Sequence, residues 1–240
     1  MMLIGALCIA AFMALAVESA DPPFSSISTD NVTVTQIIIN AHNNYRRNAS
    51  PSARNMLKMM WSEAAASNAA TWSATCPAAH SPTSQRTISG VTCGENIFIA
   101  SYPASWQEAI TAWNSESQYF QYGVGPTSSN QVTGHYTQLV WYNSYMVGCA
   151  VSNCNNQYIY VCQYCPMGNN LNTITTPYKS GPACGDCPGA CDNGLCTNPC
   201  PYEDQYSNCD DLASGDQCDT YQIVKEGCPG SCLCKNNEII

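Results

Sequence analysis

Apolar residues recur along the first two-thirds of the chain in two rhythms. Between residues 34 and 47, Ile37, Ile38, Ala41 and Tyr45 fall at helical spacing, and between residues 61 and 76 so do Ala65, Ala69, Trp72 and Cys76. Both segments read as amphipathic helices. Ser105-Trp106-Gln107-Glu108 is a capping-box start: the Ser105 hydroxyl accepts from the amide of Glu108, whose carboxylate reaches back. Behind it Trp106, Ile110, Trp113, Ser117 and Phe120 follow at steps of four, three, four and three, predicting a third helix with an aromatic stripe and Glu116 at its edge. β-Branched and aromatic residues cluster in period-two runs at 95–100, 135–142, 146–151 and 157–164. The last three runs are joined by short polar connections at 143–145 and 152–156, which predicts an antiparallel meander. The fold class is α+β.

Residues 3–17 form an uncharged apolar run closed by Glu18, Asp21, Pro22 and Pro23. A spanning helix needs roughly 20 apolar residues, whereas a signal-peptide core is shorter and ends in small residues such as Ser19 and Ala20. A signal peptide over 1–20, and a secreted, extracellular chain without a membrane span, are therefore expected. Of the 17 cysteines one, Cys8, lies in that leader, and the remaining 16 suit eight disulfides in an oxidising compartment. Asn31-Val32-Thr33 and Asn48-Ala49-Ser50 are glycosylation sequons at Asn31 and Asn48, the second made a poorer acceptor by Pro51.

Cysteine density divides the chain. Six cysteines lie in 21–183 and ten in 184–240, so a larger domain at 21–168 should be joined by a polar linker at 169–183 to a small stapled module. Charge follows the same division: six acidic and six basic residues balance in 21–183, whereas ten acidic residues face only Lys225 and Lys235 after it. Such a tail should repel nucleic acid and anionic membrane and favour cationic partners, or simply serve as a solvated acidic surface that keeps the chain soluble.

Three histidines carry the candidate chemistry. His80 sits in a loop bounded by Pro77 and Pro82. His135 falls on the apolar face of its predicted strand, the usual setting of a hydrogen-bonded structural residue. Glu95 and Glu116 are the acidic residues most deeply set in apolar surroundings, and two His with two Glu suit Zn²⁺ or another divalent metal. Residue spacing leaves open whether the four converge. In a cytosolic protein Cys184-Gly185-Asp186-Cys187 would suggest a zinc or iron-sulfur site; here the even cysteine count favours disulfides.

Gly134-His135-Tyr136-Thr137-Gln138-Leu139-Val140-Trp141, the run from Ile159 to Asn169, His42-Asn43-Asn44-Tyr45-Arg46 and Gly94-Glu95-Asn96-Ile97 are four ordered motifs that resemble those of the CAP superfamily, and the cysteine-rich tail resembles that of the vertebrate-type cysteine-rich secretory proteins. The resemblance implies an α-β-α sandwich followed by a cysteine-rich hinge at 184–199 and, at 200–240, a module similar to potassium-channel-blocking sea-anemone toxins. It implies a central cleft lined by His80, Glu95, Glu116 and His135, with Zn²⁺ on the two imidazoles, the carboxylates as outer partners or occasional ligands, and His42 as a packing residue. It further implies the pairs Cys76–Cys154, Cys93–Cys165, Cys149–Cys162, Cys184–Cys191, Cys187–Cys196, Cys200–Cys234, Cys209–Cys228 and Cys218–Cys232.

The function implied is that of an interaction protein rather than an enzyme, its tail acting on the extracellular face of a membrane protein such as an ion channel. The tail departs from simple pore plugging in having only Lys225 and Lys235, with Tyr221 four residues before Lys225. Family members also serve as reproductive-tract or gamete-surface binding proteins recognised by a cell-surface receptor, and as small-lipid or sterol carriers. A zinc-dependent protease with Glu95 or Glu116 as general base is the remaining alternative. It lacks a His-Glu-x-x-His helix, and Ser81 is too close in sequence to His80 to supply triad geometry.

Overall fold

The structure, a computed structural model, describes residues 22–155, 157–202, 204–206, 208–234 and 238–240. The expected signal peptide with Cys8, and Lys235, lie outside the described residues.

Strands β1 (Met60–Trp61), β2 (Gly94–Ala100), β3 (Met146–Asn153) and β4 (Tyr158–Cys165) form one sheet in the order β1-β3-β4-β2, with β1 parallel to β3 and the other pairs antiparallel. Helix α2 (Glu63–Ser73) covers one face, and α1 (Val32–Arg47), α3 (Trp106–Ser115) and α4 (Gly134–Leu139) cover the other. The result is an α+β, three-layer α-β-α sandwich with a disulfide-rich C-terminal region. Along β4, Ile159 and Val161 pack with Ala69 of α2, while Tyr160, Cys162 and Tyr164 turn to Ile38, Trp106, Ile110, Trp113 and Leu139. A strand covered on both faces reads as a nearly continuous apolar run. Gly148 lets α2 approach: a Cβ there would stand 2.1 Å from the backbone nitrogen of Ala66.

Several predicted elements shift. The strand expected at 135–142 is instead helix α4, in which Tyr136, Leu139 and Val140 are buried at i, i+3 and i+4. Its first turn is fastened from outside by Asn169, whose Nδ2 donates to the carbonyl of Gly134 (2.8 Å) and whose Oδ1 accepts from the Thr137 hydroxyl (2.7 Å). The meander therefore reduces to the pair β3–β4. Helix α2 begins two residues later than predicted because Trp61 pairs with Val147 in the sheet and the Ser62 hydroxyl caps the helix at Ala65. Ser105 caps α3 as expected (3.1 Å to the Glu108 amide), but Glu108 meets the Tyr102 hydroxyl instead of reaching back. The stripe of α3 runs past the helix, since Glu116 opens a 3-10 turn (Glu116–Tyr119) and Phe120 starts a short strand. Ile37 is half-exposed, leaving Val34, Ile38 and Ala41 as the buried face of α1.

Arg46 ties these layers together. Only 1% exposed, it donates to the carbonyls of Leu57, Leu139, Trp141 and Tyr142 at 2.7–3.0 Å, closing the C-terminal end of α4 against α1. Burial drives its pKa down to about 9, against the opposing influence of Tyr164.

Residues 169–183 are laced onto the first domain: Tyr142 donates to the carbonyl of Pro177, Arg54 to that of Lys179, and the Tyr122 hydroxyl to that of Tyr178. The hinge is docked as well. Cys196 exchanges backbone bonds with Met56 and Lys58 (both 2.8 Å), Leu195 enters the main core, and Arg54–Asp186 and Lys58–Asp192 pair across the contact. Packing between the hinge and the first domain continues to about Pro199, where Ile239 returns to pair beside the chain.

Eight disulfides join Cys76 to Cys154, Cys93 to Cys165, Cys149 to Cys162, Cys184 to Cys191, Cys187 to Cys196, Cys200 to Cys234, Cys209 to Cys228 and Cys218 to Cys232. The last three enclose a core of little more than Cys209, Cys228 and Cys232 with Leu212 and Val224. A core this small relies on covalent staples, each contributing about 2–4 kcal/mol in the chain-entropy picture.

Candidate metal-binding site

The loop leaving α2 is tethered at Cys76–Cys154 and carries His80 to the start of β2. There Nδ1 of His80 lies 2.9 Å from Oε1 of Glu95. The same oxygen accepts from the Ser81 amide (2.9 Å), while Oε2 accepts from the Ser81 hydroxyl (2.8 Å) and from Nε2 of Gln163 (3.3 Å). Arg86 braces the loop by donating to the carbonyls of Ser81 and Cys93. The Glu95 side chain is fully buried and that of His80 is 54% exposed, so the carboxylate is the fixed half of the pair and the imidazole faces outward. Burial raises the Glu95 pKa, but the bonds from His80, Ser81 and Gln163 outweigh it and hold the carboxyl below its ordinary value.

His135 and Glu116 repeat the arrangement from other elements. Nδ1 of His135 lies 2.6 Å from Oε1 of Glu116, and Oε2 accepts from the backbone amides of His135 (2.9 Å) and Tyr136 (3.1 Å). The 3-10 turn after α3 thus supplies the acceptor for the first turn of α4.

The two pairs flank edge strand β2. Glu95 shares the α2 side of the sheet with Gln163, its partner in register, whereas Asn96 points to the α4 side and donates to the carbonyl of His135 (3.0 Å). An ionised carboxylate only accepts, so in the neutral ring each imidazole uses Nδ1–H toward its carboxylate and keeps Nε2 as a lone-pair donor. That is the tautomer in which a histidine ligates zinc through Nε2. The structure holds the four residues as two separate His–Glu pairs, not as a four-ligand cage, and all four carboxylate oxygens already accept hydrogen bonds. Among the described residues the one cluster of three ligand atoms within 4.8 Å is Cys184, Cys187 and Cys196, and those sulfurs are spent in disulfides.

Sequence reasoning did not assign Ser81, Gln163 and Asn96 as partners of Glu95 and His135. Ser81 adjoins His80 in sequence, but Gln163 becomes visible only through its register opposite Glu95. His42 is away from the pairs, buried between the carbonyl of Ile38 (2.8 Å from Nδ1) and the Tyr164 hydroxyl (2.9 Å from Nε2).

Comparison with known proteins places these features in context. The model of the cysteine-rich secretory protein family, CAP, matches residues 39–164, and the Crisp model matches residues 184–239. Among solved structures, Na-ASP-1 is 31% identical with a TM-score of 0.58; the match covers 68% of this chain but only 46% of that one. NaASP2, solved with Zn²⁺, is 29% identical with a TM-score of 0.58 over 70% of this chain and 96% of its own. Venom allergen-like protein 4 of Schistosoma mansoni, at 22% identity and a TM-score of 0.52 over 61% of this chain and 94% of its own, shares the fold.

Proposed function

Because the chain belongs to the cysteine-rich secretory protein family, we propose that it is an extracellular interaction protein that binds Zn²⁺ through Nε2 of His80 and of His135 and acts on a cation channel through its C-terminal module. The observation that carries the metal reading is the locking of both imidazoles through Nδ1 by Glu116 and Glu95. The donor set fits the ion: two neutral nitrogens suit zinc and leave coordination positions for water or a partner's carboxylate. Acid removes the ligand form and releases the metal. The carboxylates orient imidazoles and are not free to serve as general bases, which favours binding over hydrolysis. The Zn²⁺ in NaASP2 supports the same reading, and the disulfides support export.

For the tail, exposed Tyr221 and Lys225 stand one helical turn apart, joined by the Lys225 amide and the Tyr221 carbonyl (3.2 Å). Ile223, 70% exposed, lies between them in sequence. Exposed Tyr221 and Ile223 beside Lys225 on a stapled scaffold suit contact with the outer vestibule of a cation-selective channel rather than plugging of its pore. Voltage-clamp recording on cells expressing voltage-gated potassium channels tests this. The intact chain should reduce the current, and the Tyr221→Ala, Lys225→Ala variant should do so about tenfold less potently. Unchanged currents across the channel panel, or equal potency of the variant, would contradict the channel assignment.

A further inference from the structure

A groove of about 460 Å³ lies between α2 and the 3-10 turn Thr83–Arg86, lined by Asn68, Thr71, Trp72, Thr75, Ser81 and Gln85. The volume falls in the range of roughly 300–1,000 Å³ typical of small-ligand sites. Asn68, Thr71, Trp72 and Thr75 follow at i, i+3, i+4 and i+7, so one face of α2 and its C-terminal extension make the floor. Trp72 is half-buried: it packs against the cluster of Ala69, Ala150, Ile159 and Val161 and also lines the groove.

The chemistry of this lining is specific in two respects. No charged side chain belongs to it. Its donors are also largely committed elsewhere: the Thr71 hydroxyl donates to Ser67 (3.0 Å), the Thr75 hydroxyl to Trp72 (2.8 Å), the indole nitrogen of Trp72 to Ala79 (3.3 Å), Nδ2 of Asn68 to Gln85 (2.8 Å) and the Ser81 hydroxyl to Glu95 (2.8 Å). What remains is mainly a set of acceptors, the lone pairs of Thr71 and Thr75 and Oδ1 of Asn68, together with one free Nδ2 hydrogen of Asn68. The Gln85 side-chain amide makes no hydrogen bond among the described residues. A matching ligand must be uncharged, bring several hydroxyl donors and lay a C–H face on an indole. An acyl chain would strip water from the acceptors without replacing it, and an anion or cation would meet no opposite charge.

We propose that this groove is a binding site for a neutral saccharide of about disaccharide size, stacked on Trp72 and held by Thr71, Thr75, Asn68 and Gln85. The site is separate from the imidazoles, since Ser81, its one shared residue, already gives its hydroxyl and amide to Glu95.

Saturation-transfer NMR on the full chain tests it, with cellobiose, maltose, mannobiose and N,N′-diacetylchitobiose as probes, laurate as an apolar probe, and chelator present throughout. At least one disaccharide should bind, with affinity on the order of millimolar. Thr75→Val with Gln85→Ala, both at exposed positions, should weaken it about tenfold while near-ultraviolet circular dichroism stays unchanged. Absence of binding by all four sugars at tens of millimolar, equal binding by the variant, or occupation by laurate alone would overturn the proposal.

Discussion

His42 is fully buried, and its hydrogen bonds settle its tautomer. The carbonyl of Ile38 can only accept, so Nδ1 carries the proton and Nε2 accepts from the Tyr164 hydroxyl. Burial, with a smaller push from Arg46 and against the Ile38 bond, lowers its pKa from 6.5 to about 4. Lowering the folded value means that the unfolded chain takes up the proton first. The stabilisation is thus complete above pH 6.5 and declines as pH falls toward 4. It amounts to about 3 kcal/mol over that window. Glu95, whose carboxyl is also depressed, adds a separate loss that begins below its ordinary value of 4.5. Guanidinium unfolding between pH 8 and pH 4 should show His42→Gln with a flatter pH dependence than the parent; parallel curves would refute the assignment. At this scale the sequence singled out His80, Glu95, Glu116 and His135 by residue type and apolar or loop setting. It was silent on Arg46 and Gln163, whose roles depend on carbonyls and strand partners distant along the chain.

Helix α3 could be read from the sequence because an amphipathic stripe and a capping serine agree there, and α1 from its stripe alone, since its cap is Asn31. Helix α4 could not. His135, Thr137, Leu139 and Trp141 satisfy strand alternation as well as Tyr136, Leu139 and Val140 satisfy a helix, and the choice is made by Asn169 and Arg46, which bind its two ends from outside. Boundaries moved for similar reasons, as where pairing with Val147 drew Trp61 out of α2. The seat of α2 on β3 has a sharp requirement, since a side chain at Gly148 would collide with the backbone of residues 62–66. Gly148→Ala should therefore cost roughly 3 kcal/mol by overpacking. Gly189→Ala, where nothing lies within 4 Å, should be nearly neutral in the same unfolding assay. Equal effects would show that the helix can shift to make room.

Across the whole molecule, two stapled regions are joined by a docked hinge, and each His–Glu pair draws on elements far apart in sequence. His80 comes from the loop after α2 and Glu95 from an edge strand, while Glu116 follows α3 and His135 opens α4. The charge division between a neutral first domain and an acidic tail was visible in composition, but the docking of the hinge was not, because it runs through backbone pairing of Cys196 with Met56 and Lys58. Since disulfides and core hold the sandwich, chelation of the Zn²⁺ proposed above should leave the chain folded, unlike a zinc finger. The most direct measurement is long-range ¹⁵N–¹H NMR of the three histidines during Zn²⁺ titration of chelator-stripped protein. The account predicts Nδ1-protonated rings throughout, with Zn²⁺ shifting Nε2 of His80 and His135 together and leaving His42 unchanged as an internal control. Nε2-protonated rings at His80 and His135 in the free protein, or a titration that leaves both unshifted, would contradict it.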